Sequence, residues 1–227
     1  MVTYEEALKL TIEGDAVFLV GSGFSTGAEN VSKNEDRHLL VGSELAKELA
    51  DLTGMDSGVP LDIVSQEYID MYGEDKLIDY LKSHYMVDTY AEYYKALARI
   101  KNLRVYSTNY DNLIEKVCND CGNKIKGYGI GADIRKVNKT KMVMHLNGYI
   151  QEVENSVLPE TFKLSHMSYN NTKFFYTPWY SYLIDELYSA KVIFIIGLSF
   201  SSDIDIRRLV ADEELKDKIF FVERPDL

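Results

Sequence analysis

The stretch Asp15-Ala16-Val17-Phe18-Leu19-Val20-Gly21-Ser22-Gly23-Phe24-Ser25 decides the fold. Its apolar run is continuous, short and β-branched or aromatic at several positions. That is the pattern of a strand buried on both faces, as in a parallel sheet. The run passes directly into a turn with glycine at 21 and 23. Glycine there gives a tight turn and lets a ligand's diphosphate approach the backbone closely.

Three further motifs follow the same plan, each at the end of an apolar run. Leu103 to Ser107 leads into Thr108-Asn109-Tyr110-Asp111, Met142 to Met144 leads into His145-Leu146-Asn147-Gly148, and Lys191 to Ile196 leads into Gly197-Leu198-Ser199-Phe200. A last strand is expected over Ile219 to Val222. Amphipathic helical patterns lie between them: Thr3 to Glu13, Ser43 to Leu52, Leu61 to Tyr72, Glu74 to Tyr85, Tyr90 to Ile100, Asp111 to Val117, a helix started by Thr177-Pro178, and Asp203 to Val210. Strands alternating with helices predict an α/β fold with a doubly wound, Rossmann-like parallel sheet. The four helices between about 43 and 100 are too many for a simple crossover and read as a helical insertion over the cofactor cleft. Ala28 to Arg37 is polar and aperiodic and reads as a mobile loop. Gly122 to Thr140 reads as loop with room for one short strand.

At 227 residues with 46% apolar composition, one substantial domain spanning 1–227 is expected. The chain stops soon after its last strand, which suggests the N-terminal part of a longer protein. No apolar run approaches the roughly 18 residues of a membrane span. The N-terminus shows no basic region followed by an apolar stretch, so the expectation is a soluble, cytoplasmic protein without a membrane partner. The formal net charge of −11 argues against nucleic acid as a direct partner, because phosphate-backbone binding draws on clustered Lys and Arg. Two cysteines, Cys118 and Cys121, are spaced C-x-x-C. A structural zinc needs a fuller set of N and S ligands, so no metal is expected.

The chemistry at the four motifs narrows the function. The ordinary dinucleotide fingerprint has a third glycine where Thr26 stands, and an acidic residue closing a second strand about 20 residues on. Neither is present, so a dehydrogenase fits poorly. Asn109 and Asp111 follow a strand end as Asn-x-Asp; taken alone, the pair serves equally well as functional polar groups or as caps of the next helix. His145 ends an apolar strand, where a neutral imidazole near its reference pKa suits proton removal. His38, His84 and His166 lack such a setting, with His166 a minor candidate.

Taken in order, Gly21-Ser22-Gly23-Phe24-Ser25, Asn109-x-Asp111, His145-Leu146-Asn147-Gly148 and Gly197-Leu198-Ser199 resemble the sirtuin catalytic domain. They are closer to the sirtuin-like NAD hydrolase domains of bacterial anti-phage defence proteins. The resemblance covers about residues 14 to 210. It implies NAD as substrate, with Asn109, Asp111 and His145 catalytic. It also implies NAD contacts from Gly21, Ser22, Gly23, Phe24, Ser25, Thr108, Gly197 and Ser199; Glu223, at the end of the last strand, is added from topology. The four-cysteine zinc module of the deacylating sirtuins is absent, as is their Gly-Ile-Pro-x-Phe-Arg run. The expectation is therefore an NAD⁺ glycohydrolase that works as a homo-oligomer with a sensor domain or partner. A sirtuin-type protein deacylase or ADP-ribosyltransferase, and an inactive nucleotide-sensing module, are the alternatives.

Overall fold

The computed structural model describes residues 2–153, 158, 162–164, 174–198 and 204–222. Six parallel strands form the main sheet: β1 (Ala16–Val20), β4 (Arg104–Ser107), β5 (Lys126–Gly129), β6 (Met142–His145), β7 (Val192–Ile196) and β8 (Ile219–Val222). Their order is β5-β6-β4-β1-β7-β8. From β1 the chain adds β4 beside it, then β5 at the edge and β6 between those two, and returns to lay β7 on the other flank. Strand order thus reverses at β1, and in such sheets the crevice beyond the carboxyl ends at the reversal receives ligands.

Side chains alternate between two buried faces, as the period of a strand requires. Val17, Leu19, Tyr106, Met142, Met144, Ile193 and Ile195 pack on one face under Trp179, Leu183 and Leu187 of a helix over Pro178–Ser189. Ala16, Phe18, Val20, Val105, Val143, Val192 and Phe194 pack on the other. There they meet Ala7 of α1 (Tyr4–Glu13) and Ile114 and Cys118 of the helix Leu113–Asp120. Full burial of each such large side chain stabilises by about 1.5–3 kcal/mol, which explains why both faces read as apolar in the sequence. The doubly wound α/β expectation is met.

Three helices, α2 (Gly42–Thr53), α3 (Leu61–Tyr72) and α4 (Glu74–Tyr85), form the insertion. With them, the helix over 113–120 is α5, that over 178–189 is α6, and Ile204–Val210 is α7. The insertion shares a core with Tyr110, Ile150, Val153, Phe162 and Leu164. Tyr110, which follows β4, stacks on Phe162 at 4.6 Å and meets Tyr85 of α4 edge-on at 5.4 Å. The helical block therefore sits over the carboxyl edge on the β4 side.

Two segments differ from the sequence reading. Tyr90 to Ile100 does not continue the helical block. Val87–Tyr90 is β3, antiparallel to β2 (Ala28–Asn30), and Glu92–Arg99 follows as 3₁₀ turns. Val87, Thr89 and Tyr90 favour a strand, and Tyr94 ties the turns down by donating its hydroxyl to the Phe24 carbonyl and accepting from Gly27 N–H. The polar loop 28–37 also carries a strand, because β2 pairs with β3. Three residues leave no period to read, and the pairing is fixed by Arg37, which bridges Glu29 and Asp88. The short strand allowed for in the glycine-rich segment is β5. Among the described residues no helix is long and apolar enough to cross a membrane.

Candidate functional site

The last residues of all six strands stand in one row across the sheet. Gly129 pairs with His145, His145 with Ser107, Ser107 with Val20, Val20 with Ile196 and Ile196 with Val222. Each motif thus begins at the same level, which is how residues 21, 109, 145 and 197 meet.

The two glycine turns interlock. Gly21 N–H donates to the Ile196 carbonyl and Gly23 N–H to the Gly197 carbonyl, each at 3.0 Å. Gly197 has φ +59°, and a Cβ there would stand 2.3 Å from Phe24 N and 2.6 Å from Gly23 Cα. A Cβ on Gly21 would fall 2.6 Å from the Gly197 carbonyl oxygen, and one on Gly23 2.8 Å from Gly197 Cα. The sequence reading assigns these glycines to close approach of a diphosphate; in the structure the facing backbone stands where a Cβ of each would be. The glycines are required because two main chains pass in contact. Gly197→Ala is therefore expected to cost about 2–5 kcal/mol, combining left-handed strain with a backbone clash. Urea denaturation checks this; an unchanged midpoint would mean the turns do not touch.

Asn109 joins the turn to the second motif. Its Nδ2 donates to the Gly21 carbonyl and to Ser25 Oγ, both at 3.0 Å, and its N–H donates to Ser107 Oγ. Ser25 Oγ in turn donates to Asp111 Oδ2 at 2.8 Å. Asp111 Oδ1 accepts from Leu113 N–H at 3.0 Å at the start of α5. Asp111 thus caps the helix, one of the two readings weighed from the sequence, and also holds the glycine turn, which the sequence did not suggest; Asn109 caps nothing. The helix itself starts at Leu113, two residues later than its pattern suggested. Asp111 is buried, and burial pushes its carboxyl above the ordinary value although the Leu113 N–H and Ser25 hydroxyl pull it back. Thr108 N–H continues the sheet to the Val20 carbonyl, and its own carbonyl accepts from Asn147 Nδ2 at 3.1 Å. Ser22 is half-buried, and Phe24 packs edge-on against Tyr94.

His145 is 1% exposed and both ring nitrogens are engaged. Nδ1 donates to the Asn109 carbonyl at 2.8 Å, and Nε2 lies 2.8 Å from Glu115 Oε1. Tyr149 stacks on the ring at 4.1 Å. The sequence reading expects a neutral imidazole near its reference pKa; here the surroundings of the ring shift that value. Burial pulls the His145 pKa down, but the charge and hydrogen bond of Glu115, helped by the Asn109 carbonyl, outweigh it, and the net shift is upward. Glu115 was missed in the sequence. Its signal is a lone acid among Leu113, Ile114, Val117 and Cys118 on a helix that buries all five.

Ser199, Phe200, Asp203, Glu223 and His166 lie outside the described residues. His38 is held by Asp36 and Glu44, and His84 by the Tyr80 carbonyl and Ser83. Cys118 is buried, its thiol pushed up to about 12 by burial, and Cys121 is exposed; both are free thiols. Among the described residues no three His, Cys, Asp or Glu side chains are grouped to hold a metal. Metal analysis of the purified protein is expected to give no stoichiometric zinc, and a chelator should leave its melting temperature unchanged; one zinc per chain would refute this.

The buried chain of contacts from Gly21 through Asn109, Ser25 and Asp111 to His145 and Glu115 thus links three motifs on adjacent strand ends. No curated protein matches the chain. A family model described as the SIR2-like domain matches residues 103–219, from the start of β4 into β8. That stretch holds Asn109, Asp111, His145 and Gly197, and the hydrogen bonds of Asn109 and Asp111 bring the glycine turn of β1 into the same site. With just over half its length matched, the chain belongs to the SIR2-like domain family.

Proposed function

We propose that the chain is an NAD⁺ glycohydrolase. The C–N bond between ribose C1′ and nicotinamide breaks, a water oxygen bonds to C1′, and the water proton is released, giving nicotinamide and ADP-ribose. Membership of the SIR2-like family carries an NAD-related activity; the hydrolytic outcome is our reading.

The observation that carries it is the state of Asn109. Its backbone carbonyl is held by His145 and its Nδ2 by Gly21 and Ser25, while among the described residues its Oδ1 accepts no hydrogen bond. A side-chain oxygen fixed on three sides and left free on the fourth is suited to a ribose hydroxyl or the attacking water. Bond breaking develops positive, oxocarbenium-like charge at the ribose, and preorganised acceptors with a nearby carboxylate such as Asp111 stabilise it. Ser22, Phe24, Thr108, Ser199 and Glu223 complete the set of contacts we assign to NAD. Neither cysteine suggests the zinc module of the deacylating sirtuins, which favours water over an acyl peptide as acceptor. We place the activity in the cytoplasm, as NAD depletion in anti-phage defence, triggered through oligomerisation and a sensor domain or partner.

The test is incubation of the full protein with NAD⁺ alone and chromatography of the products. Nicotinamide and ADP-ribose in equal amounts are expected. A requirement for an acetyl-lysine peptide, with O-acetyl-ADP-ribose formed, would replace the hydrolase by a deacylase. Bound but uncleaved NAD⁺ would point to a sensing module.

A further inference from the structure

We propose that Glu115 is the positioning residue of this site: its carboxylate fixes the His145 ring through Nε2, so that Nδ1–H holds the Asn109 carbonyl where the reaction needs it. The proposal rests on the reading that Asn109 faces the ribose of NAD⁺.

Glu115 is 3% exposed on a helix whose other inward residues are apolar. A buried carboxylate contributes little net stability even when paired, and an apolar residue would serve packing better. Its Oε2 is buried without a hydrogen-bond partner, a further cost that packing does not require. The neighbouring strand is shaped around it. A Cβ on Gly127 of β5 would fall 2.0 Å from Glu115 Oε1 and 2.7 Å from the Tyr149 ring. A glycine therefore stands where the carboxylate needs room.

The ring it holds has one solution. Nδ1 meets a carbonyl, so it must carry a proton. Nε2 meets a carboxylate oxygen, so a second proton is shared between Nε2 and Oε1. Tyr149 lies parallel to the ring within 12° and blocks rotation. No ring lone pair is left to take a proton from water or ribose, so His145 acts by holding Asn109, and Glu115 acts by holding His145. The groups facing the ring from the surrounding elements are Glu115 of α5, Asp111 from the loop after β4 and Tyr149 from the loop after β6.

The experiment titrates the histidine rings by ¹⁵N NMR in the whole protein, with His145 assigned by elimination through single substitutions of His38, His84 and His166, alongside steady-state kinetics with NAD⁺. In the wild type, His145 should keep its Nδ1 proton and titrate above the ordinary histidine value. In Glu115→Gln, which keeps the volume and removes the charge, that titration should move down. There kcat should fall about 10- to 100-fold, the usual effect of losing an orienting partner, with KM little changed. Glu115→Asp, which keeps the carboxylate, should recover part of kcat. Wild-type kcat in Glu115→Gln, or an unmoved His145 titration, would overturn the proposal. Should Glu115→Gln fail to fold, the wild-type titration decides, since a His145 value at or below 6.5 overturns it too. A wild type that cleaves no NAD⁺ would defeat the functional reading, while the titrations would still decide whether Glu115 governs the ring.

Discussion

Replacing Asn109 by alanine is expected to lower nicotinamide release on the order of 10²-fold or more, the scale of losing one preorganised polar group at a developing charge. The chain should remain folded but weaker. Asn109 Nδ2 is the donor for both the Gly21 carbonyl and Ser25 Oγ. Removing it leaves Ser25 Oγ without its donor and the Gly21 carbonyl with Phe24 N–H alone, a loss of about 2 kcal/mol. For a chain of this size that is roughly 4–8 °C in melting temperature. Product analysis measures the first effect and thermal unfolding the second. NAD⁺ affinity, measured by calorimetry, should change much less than turnover. Turnover near wild type would remove Asn109 from the chemistry and leave it a structural tie between two loops. Loss of turnover with unchanged melting would instead show that the coupling to the glycine turn carries no stability.

Much of this arrangement was legible in the sequence because it is written in short range. Residues 16–20, 103–107 and 192–196 are apolar runs ended by Gly or polar residues, and each became a strand of the buried sheet. The motifs follow the strand ends, and a sheet whose strands end in register brings the motifs together without further instruction. What escaped detection depends on contacts between distant residues. β2 is three residues long and exists by pairing with β3, nearly 60 residues later. The fourth expected helix was lost to that pairing and to Tyr94, which reaches back to Phe24 and Gly27. Gly21 and Gly23 were recognised, but not that Gly197 fills their space, because glycine in a sequence does not say what approaches it. Glu115 was invisible for a similar reason. On its helix it is one acid among apolar residues, and its role appears only when β6 places His145 beside it.

The largest effect on stability is expected at His145. Replacing it by leucine should cost about 3–5 kcal/mol, because Glu115 is then a buried carboxylate without its partner. The double variant His145→Leu/Glu115→Leu removes both groups and should be more stable than His145→Leu alone. A double-mutant cycle by urea denaturation should give a coupling of about 2 kcal/mol, within the range for residues in direct contact. The pH dependence separates this pair from ordinary packing. The folded-state pKa of His145 lies above its unfolded value near 6.5. The stabilisation from its proton is therefore fully present below pH 6.5 and is lost as pH rises through the folded-state pKa. Wild-type stability should then decline relative to the double variant above pH 6.5. Asp111, whose carboxyl is also raised, feels the charges of both His145 and Glu115, so the difference reads the three groups together. The same geometry bears on catalysis. A neutral imidazole acting as base would give an activity loss below about pH 6.5, whereas a ring already held at both nitrogens gives none there. A stability difference that stays flat from pH 6 to 9, together with an acid limb in the activity near 6.5, would return His145 to the role of general base. A falling difference and no acid limb would leave it as the clamp on Asn109.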